Sequence, residues 1–511
     1  MVRKTVSWLL IFFVSGVIAG CLNQTMSEQT NKVIAQEKSE KIKEKNHHNQ
    51  EITIVPTFLG NPQRNFYGQG PVPQKLEIIW KVNLGSGKTR VSGGFKTWSG
   101  CGWTGQPLIV EENGKPYIIQ GAYDHHLRKI DGETGQVIWK YKFDDVIKGT
   151  GTIFAGSGEL IVLQGSRQGN QYSLSSKIVP SFRAISFSTG QEIWRMNIPR
   201  TRSYSRDVDG SALILDGLVY LGAENGIFYI IDPVQSLLKE GILQPKILRE
   251  IKLYTEKDIA RYGGNLVIES SPALCGNKII ITAGSGHVFG IDPRLQEIVW
   301  DFYIGSDLDG SPVVTKSGHI LVSVEKQYIS GQGGVFMLDP KKEPKKAVLW
   351  YFPVRNRSFA SWQGGVIGSV GVNDKYNPRG DKLALAAFSA IDGNLYIVFQ
   401  NELSDQKTKG PNGEGPHLMP KEIFRFNIGG SISTPIFLGD EKNDWLIAAG
   451  YNGVYLFKLN YEAGGRIKVT LLDHFAPGVS FEATPVVWKG RIYIGGRNGW
   501  FYCLGEKSAR R

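Results

Sequence analysis

Four cysteines in 511 residues are too few for a disulfide-built domain, and none stands in a CxxC pair. With no HxxxH spacing either, a structural zinc site of the usual type is excluded. Neither a GxSxG elbow nor a GxxxxGK[ST] loop occurs, which removes the hydrolase nucleophile and the nucleotide P-loop. The conspicuous apolar run, Val6 to Ile18, is too short to cross a bilayer as a mature helix. Arg3 and Lys4 precede it, the flank of a secretory signal.

What is present is a recurring phrase. A strand of β-branched and aromatic residues, a Gly turn, a second strand ending near Asp, another turn and a third strand closing on Trp run from Tyr117 to Trp139. Partial copies end at Trp194, Trp300 and Trp350, and a detached final strand, LEIIWKV, carries Trp80. A period of roughly 40 to 60 residues with four short strands per unit predicts a β-propeller. Each unit is too small to cover both faces of its sheet, so neighbours must do so and the ring must close.

Innermost strands are announced by a small residue and often Pro: Thr104–Pro107, Asp209–Ala212, Glu269–Pro272, Asp309–Pro312, Ser433–Pro435 and Ala483–Pro485, with degenerate starts near Gly151 and Gly368. These starts predict an all-β, eight-bladed propeller of four-stranded antiparallel blades. The last start leads to only two further strands, so the strand around Trp80 is expected to complete that blade and remove both free edges. Asn-Gly and Asp-Gly pairs, as at Asn113-Gly114 and Asp216-Gly217, supply the hairpin turns. The repeated Trp80, Trp139, Trp194, Trp300 and Trp350 are expected to pack blade against blade.

Asp131-Gly132-Glu133-Thr134-Gly135-Gln136-Val137-Ile138-Trp139 and Ser188-Thr189-Gly190-Gln191-Glu192-Ile193-Trp194 together resemble the PQQ-type (pyrroloquinoline quinone) propeller repeat. The resemblance runs over about Leu76 to Leu504. It implies an eight-bladed ring, shared by quinone-dependent alcohol and sugar dehydrogenases and by the lipoprotein subunit of the outer-membrane β-barrel assembly machine. Many of the dehydrogenases carry two adjacent cysteines above the quinone. This chain has no such pair, since Cys101, Cys275 and Cys503 are scattered, and one disulfide among them is allowed without the spacing choosing it.

The apolar run ends in Ile18-Ala19-Gly20-Cys21, which resembles the bacterial lipobox. Residues 1–20 are then a lipoprotein signal peptide, and Cys21 is the lipidated first residue. Leu22 follows it, favouring the outer membrane on its periplasmic side. Residues 21–65 are rich in Gln, Asn, Lys, Glu and Ser and are expected to be a flexible tether with a reach of roughly 35 Å. Residues 66–505 form the propeller and 506–511 a basic tail. Without Arg3 and Lys4, 57 Lys and Arg against 47 Asp and Glu leave +10, a bias compatible with anionic envelope surfaces. Nucleic acid is not an expected partner at an exported address.

Three positions before the Pro, or its equivalent, of four blade starts stand Asp209, Glu269, Asp309 and Glu482, which should face the channel mouth. Asp207 and Asp307 lie two residues further out. The same entry loops hold Arg200, Arg202, Arg206, Arg261, Arg355 and Arg357, able to neutralise the acids, and Trp98, Trp103, Tyr204, Tyr262, Phe359 and Trp362. Arg, Tyr and Trp with a few carboxylates is the composition of recognition surfaces. The competing reading of each acid is a turn cap. His125 and His126 sit at a hairpin turn, and His287 and His319 begin strands. The excursions Gly165–Pro180 and Glu402–Lys421 read as docking arms or as solvated slack, the second of these mainly as slack.

The expected function is that of a membrane-tethered scaffold or assembly factor binding a protein partner in the cell envelope, with no catalytic residue, metal or cofactor assigned. The alternatives are a quinone-dependent dehydrogenase with PQQ and Ca²⁺, or a binder of a small ligand or glycan in the same funnel.

Overall fold

The computed structural model describes residues 52–507 apart from Thr104, Ser157 and 463–464. The signal segment, Cys21, the chain up to residue 51 and most of the basic tail lie outside the described residues. Among the described residues, 53–110 and 116–507 pack as one compact unit. Glu111–Lys115 is a tight turn in which Asn113 and Gly114 take φ of 53° and 79°, as a type I′ hairpin requires.

Eight antiparallel blades follow one another along the chain. Blade 1 runs from Leu108 to Lys142, blade 2 from Thr152 to Met196, blade 3 from Leu213 to Lys252 and blade 4 from Ala273 to Tyr303. Blade 5 spans Val313 to Pro353, blade 6 Gly371 to Asn427 and blade 7 Ile436 to Phe475. Blade 8 takes Val486–Trp488, Arg491–Gly495 and Trp500–Gly505 from the C-terminal end and Glu77–Asn83 from the other. The latch is antiparallel, with Trp80 opposite Cys503 and Asn83 opposite Trp500. The expected ring and its closure are therefore both present.

The core lies between blades rather than inside them. One cluster joins Leu163 and Trp194 of blade 2 to Val219 and Tyr229 of blade 3, and another joins Ile280 and Trp300 of blade 4 to Val322 and Phe336 of blade 5. The repeated tryptophans hold these seams by a common bond. Each indole N–H donates to a backbone carbonyl of the next blade: Trp139 to Phe187 (2.9 Å), Trp194 to Pro233 (3.0 Å), Trp300 to Lys342 (2.9 Å) and Trp350 to Gln400 (2.9 Å). Trp80 does the same toward Gly132 (3.3 Å). The Gly of the Thr-Gly pair belongs to this device. A Cβ on Gly190 would come within 2.7 Å of the Trp139 ring, and one on Gly135 within 2.8 Å of Trp80, so the indole lies against a bare glycine.

The tether ends earlier than its composition suggests. Ile52–Val55 is a strand beside the innermost strand of blade 1, and the chain then crosses the axis of the ring. Pro56 accepts from Ile153 N of blade 2 (2.7 Å), Pro62 from Leu274 N of blade 4 (2.7 Å), and Gln63 from Val314 N of blade 5 (2.9 Å). Tyr67 takes Val372 N of blade 6 on its hydroxyl (2.8 Å), and Gly68–Gln69 runs parallel to Val487–Trp488 of blade 8. Innermost strands leave N–H and C=O groups facing the axis, and this plug satisfies them. Arg64, fully buried, donates to the carbonyls of Phe58, Pro272, Ser211 and Ala212 and to Thr57 Oγ1. The boundary at residue 65 thus falls inside the ring structure.

The expected slack in 402–421 is also absent. Asn394–Thr408 and His417–Asn427 form a long antiparallel arm from blade 6. Its tip is fixed by Gly331 N to Pro411 O (2.8 Å) and Asn412 Nδ2 to Ile304 O (2.7 Å). The excursion after Gly165 is likewise bound to its own molecule, where Asn170 accepts from Arg90 N and donates to Lys88 O. Cys101, Cys275 and Cys503 are free and buried, so the disulfide left open by their spacing is not formed. Burial pushes their thiols up to about 12, 11 and 12.

Candidate functional site

Antiparallel pairing returns the end of a blade's second strand to the point where its first strand began. On blade 3 this sets Glu224, just after Leu218–Ala223, beside Asp209. On blade 5 it sets Glu325, just after Ile320–Val324, beside Asp307 and Asp309. Two carboxylate groups result, Asp209, Glu224 and Glu269 in one and Asp307, Asp309 and Glu325 in the other, and within each group the facing oxygens lie within 4.8 Å of one another. Glu224 and Glu325 lie outside the Pro-aligned blade starts that single out Asp209, Glu269 and Asp309. Aligning strand exits, Ala223-Glu224 with Val324-Glu325, would have found them.

The groups differ in their counter-charge. Lys148 Nζ contacts Asp209, lies 3.4 Å from Glu224, and stands 5.0 Å from the centre of the Trp103 ring. Among the described residues no cation pairs with Asp307, Asp309 or Glu325. Asp307 Oδ2 accepts from Asn265 Nδ2 at 2.7 Å, while Asp307 Oδ1, Asn265 Oδ1 and Glu269 Oε2 are buried without a partner. Burial first, and mutual repulsion second, push Glu325 up to about 8 and lift Asp309 well above its ordinary range. Burial raises Glu269 to about 8 and Asp209 to about 6, with Lys148 opposing both rises. Crowded, desolvated carboxyls of this kind hold protons until a cation arrives.

Above the acids opens a bowl of about 560 Å³, rimmed by Trp103, Tyr204, Tyr262, Tyr328 and Trp362 and floored by Glu269, Asp307, Asp309 and Glu325. Trp103 stacks on Trp362 with centroids 6.1 Å apart. Beneath, a space of about 20 Å³ separates Asp209, Glu269 and Asp309 from Phe58 of the plug. The bowl is a dead end.

Of the expected face, Asp209, Glu269, Asp307, Asp309, Trp103 and Trp362 come together here. Other members go elsewhere. Asp207 accepts from Arg167 Nε (2.7 Å) and Gln168 N, and Glu482 faces Arg497 at 3.4 Å. Trp98 packs on Tyr123 in the hairpin Ser86–Ser99, under Arg167. The arginines expected to neutralise the acids do not do so. Arg206 is buried and donates to the carbonyls of Ile198 and Ser176, and Arg357 donates to Asp392 O at 3.0 Å. Arg202 and Arg355 are exposed. Arg261 turns from the bowl toward a lateral cavity.

An oxygen-only donor set suits a hard cation such as Ca²⁺. It does not by itself suit pyrroloquinoline quinone, whose own carboxylates would meet six acids and a single lysine.

The fold is that of an eight-bladed β-propeller, and its repeat resembles the PQQ-like type. Within it, residues 77–302 match the family model described as outer membrane protein assembly factor BamB. Among solved structures, the quinohemoprotein alcohol dehydrogenase of Comamonas testosteroni is similar at 14% identity, TM-score 0.53, over 90% of this chain and 82% of that one. BamB from Moraxella catarrhalis is similar at 13% identity, TM-score 0.48, over 84% of this chain and 100% of that one. No curated protein sequence matches the chain. Among the described residues no helix is long and apolar enough to cross a membrane.

Proposed function

We propose that this protein is a lipid-tethered propeller of the cell envelope that holds a partner protein on its funnel face, the partner seating a lysine or arginine among Asp307, Asp309 and Glu325. The carrying observation is the pairing of an uncompensated carboxylate group with an aromatic rim. A basic side chain entering the bowl meets desolvated acids with no internal competitor, and Tyr and Trp supply contact area at low entropic cost. The family model, named for an assembly factor, supports the same reading. Cys21 would supply the anchor, on the periplasmic side of the outer membrane.

The test is site-specific photocrosslinking in intact cells from a photoreactive residue at position 328 or 362. A discrete adduct is expected, reduced at least about tenfold by the combined Asp309→Asn and Glu325→Gln substitutions. No reproducible adduct, or one indifferent to those substitutions, overturns the reading. Cys21→Ser should release the protein from the membrane fraction.

A second reading, a Ca²⁺-dependent quinone oxidoreductase, draws on the orphaned oxygens of Asn265, Asp307 and Glu269, which suit Ca²⁺, and needs the bound cation to offset the acids that a quinone's carboxylates would meet. Bound Ca²⁺ would act there as a Lewis acid. Its check is reconstitution with quinone and Ca²⁺ followed by dye reduction with alcohols or sugars, and no turnover removes it.

A further inference from the structure

The geometry points to a second binding site, for a small anion with an aromatic or aliphatic body, in a lateral cavity between blades 4 and 5 under the arm of blade 6. The cavity measures about 740 Å³, within the size class that takes small molecules. Phe302, Ile304 and Phe336 form its apolar walls, and Arg261, Lys345 and Lys346 stand around it against a single acid, Glu414. Arg261 and Lys345 make no ion pair with a described residue, and Lys346 has only exposed Glu343 at 3.4 Å. Glu414 is occupied within its own turn, accepting from Asn412 N at 2.9 Å.

Two features make this a built site rather than a gap between blades. The arm tip is pinned to both blades, through Ile304 on blade 4 and Gly331 on blade 5, so the opening is held at a fixed width. His417, whose ring meets the edge of Phe336 at 5.8 Å, lines the same space. Its Nε2 has no hydrogen-bond partner. An apolar wall alone would take any hydrophobe, and exposed cations alone would take any phosphate. Together they select a ligand that is apolar at one end and anionic at the other.

The probe is 8-anilinonaphthalene-1-sulfonate, an anionic aromatic dye, titrated into the full-length protein by fluorescence. One saturable site is expected, displaced by laurate but not by the same concentration of inorganic phosphate. Combined Arg261→Glu, Lys345→Glu and Lys346→Glu, all at exposed positions and so compatible with folding, should weaken the dye at least about tenfold. Trp362→Ala, in the funnel, should leave it unchanged. The proposal fails if the triple substitution has no effect, if Trp362→Ala abolishes binding instead, or if phosphate displaces the dye as well as laurate does.

Discussion

At the scale of residues, the funnel acids stand where charge and burial conflict, and this makes them measurable. Glu269 and Glu325 are held up to about 8, against an unfolded value of roughly 4.3. Between those values the native state keeps a proton that the unfolded chain has lost, so stability falls as pH rises from about 4.5 to about 8. In EDTA, the melting midpoint should drop over that window, and Glu325→Gln should flatten the drop and raise the midpoint at pH 8 by about 1–3 °C. An unchanged profile would mean that the group is solvated. Repeat alignment reached Asp209, Glu269 and Asp309 because they sit at fixed offsets from the first strand. It does not reach Glu224 and Glu325, which hairpin return places at the exit of a blade's second strand instead of the entry of its first, or Lys148, which comes from the entry loop of a neighbouring blade. The tryptophans were legible for the opposite reason, since one geometry recurs at five seams. Trp194 is 1% exposed, and Trp194→Phe removes the donor to Pro233 O and opens a void, so denaturant unfolding should show a loss of about 2–4 kcal/mol.

At the scale of elements, the segments that sequence reading described least well are those that make single, irregular contacts. Strands within a blade repeat a pattern of two, and the eight blade starts are legible in the sequence. The plug from Pro56 to Tyr67 touches a different inner strand every few residues, so it has no period, and its polar residues look solvated. Arg64 shows the consequence. Its guanidinium is buried against carbonyls and a hydroxyl instead of a carboxylate, and burial lowers it to about 9. A lysine offers one point charge where five fork contacts are made. Arg64→Lys should therefore destabilise by about 2–4 kcal/mol despite keeping the charge. Denaturation equal to wild type would show that the plug contributes little to the ring. The blade 6 arm follows the same logic: Lys, Gly and Pro in 407–416 read as slack, yet the tip is fixed by the carbonyl of Pro411, which any residue can offer, and by the single side-chain amide of Asn412.

At the scale of the whole molecule, the longest contact that closes the ring is one the chain does not enforce covalently, Glu77–Asn83 with Trp500–Gly505, beside the two-residue pairing of Gly68–Gln69 with Val487–Trp488. Every other blade is a continuous stretch of chain. In the unfolded state these two segments are free to separate by the span of the propeller, so a cross-link there restricts the denatured ensemble far more than one within a blade. Asn83 and Trp500 are direct antiparallel partners, at a spacing that suits a disulfide. Free Cys101, Cys275 and Cys503 compete weakly, because burial holds their thiols near 11 to 12 and thiolate is the attacking form. Asn83→Cys with Trp500→Cys, oxidised, should gain about 2–4 kcal/mol over the same protein reduced, the comparison cancelling the lost Trp500 packing against Lys81. A melting midpoint independent of reductant, with the disulfide confirmed by mass, would mean that the latch stays closed in the unfolded ensemble or that the ring does not melt as a unit.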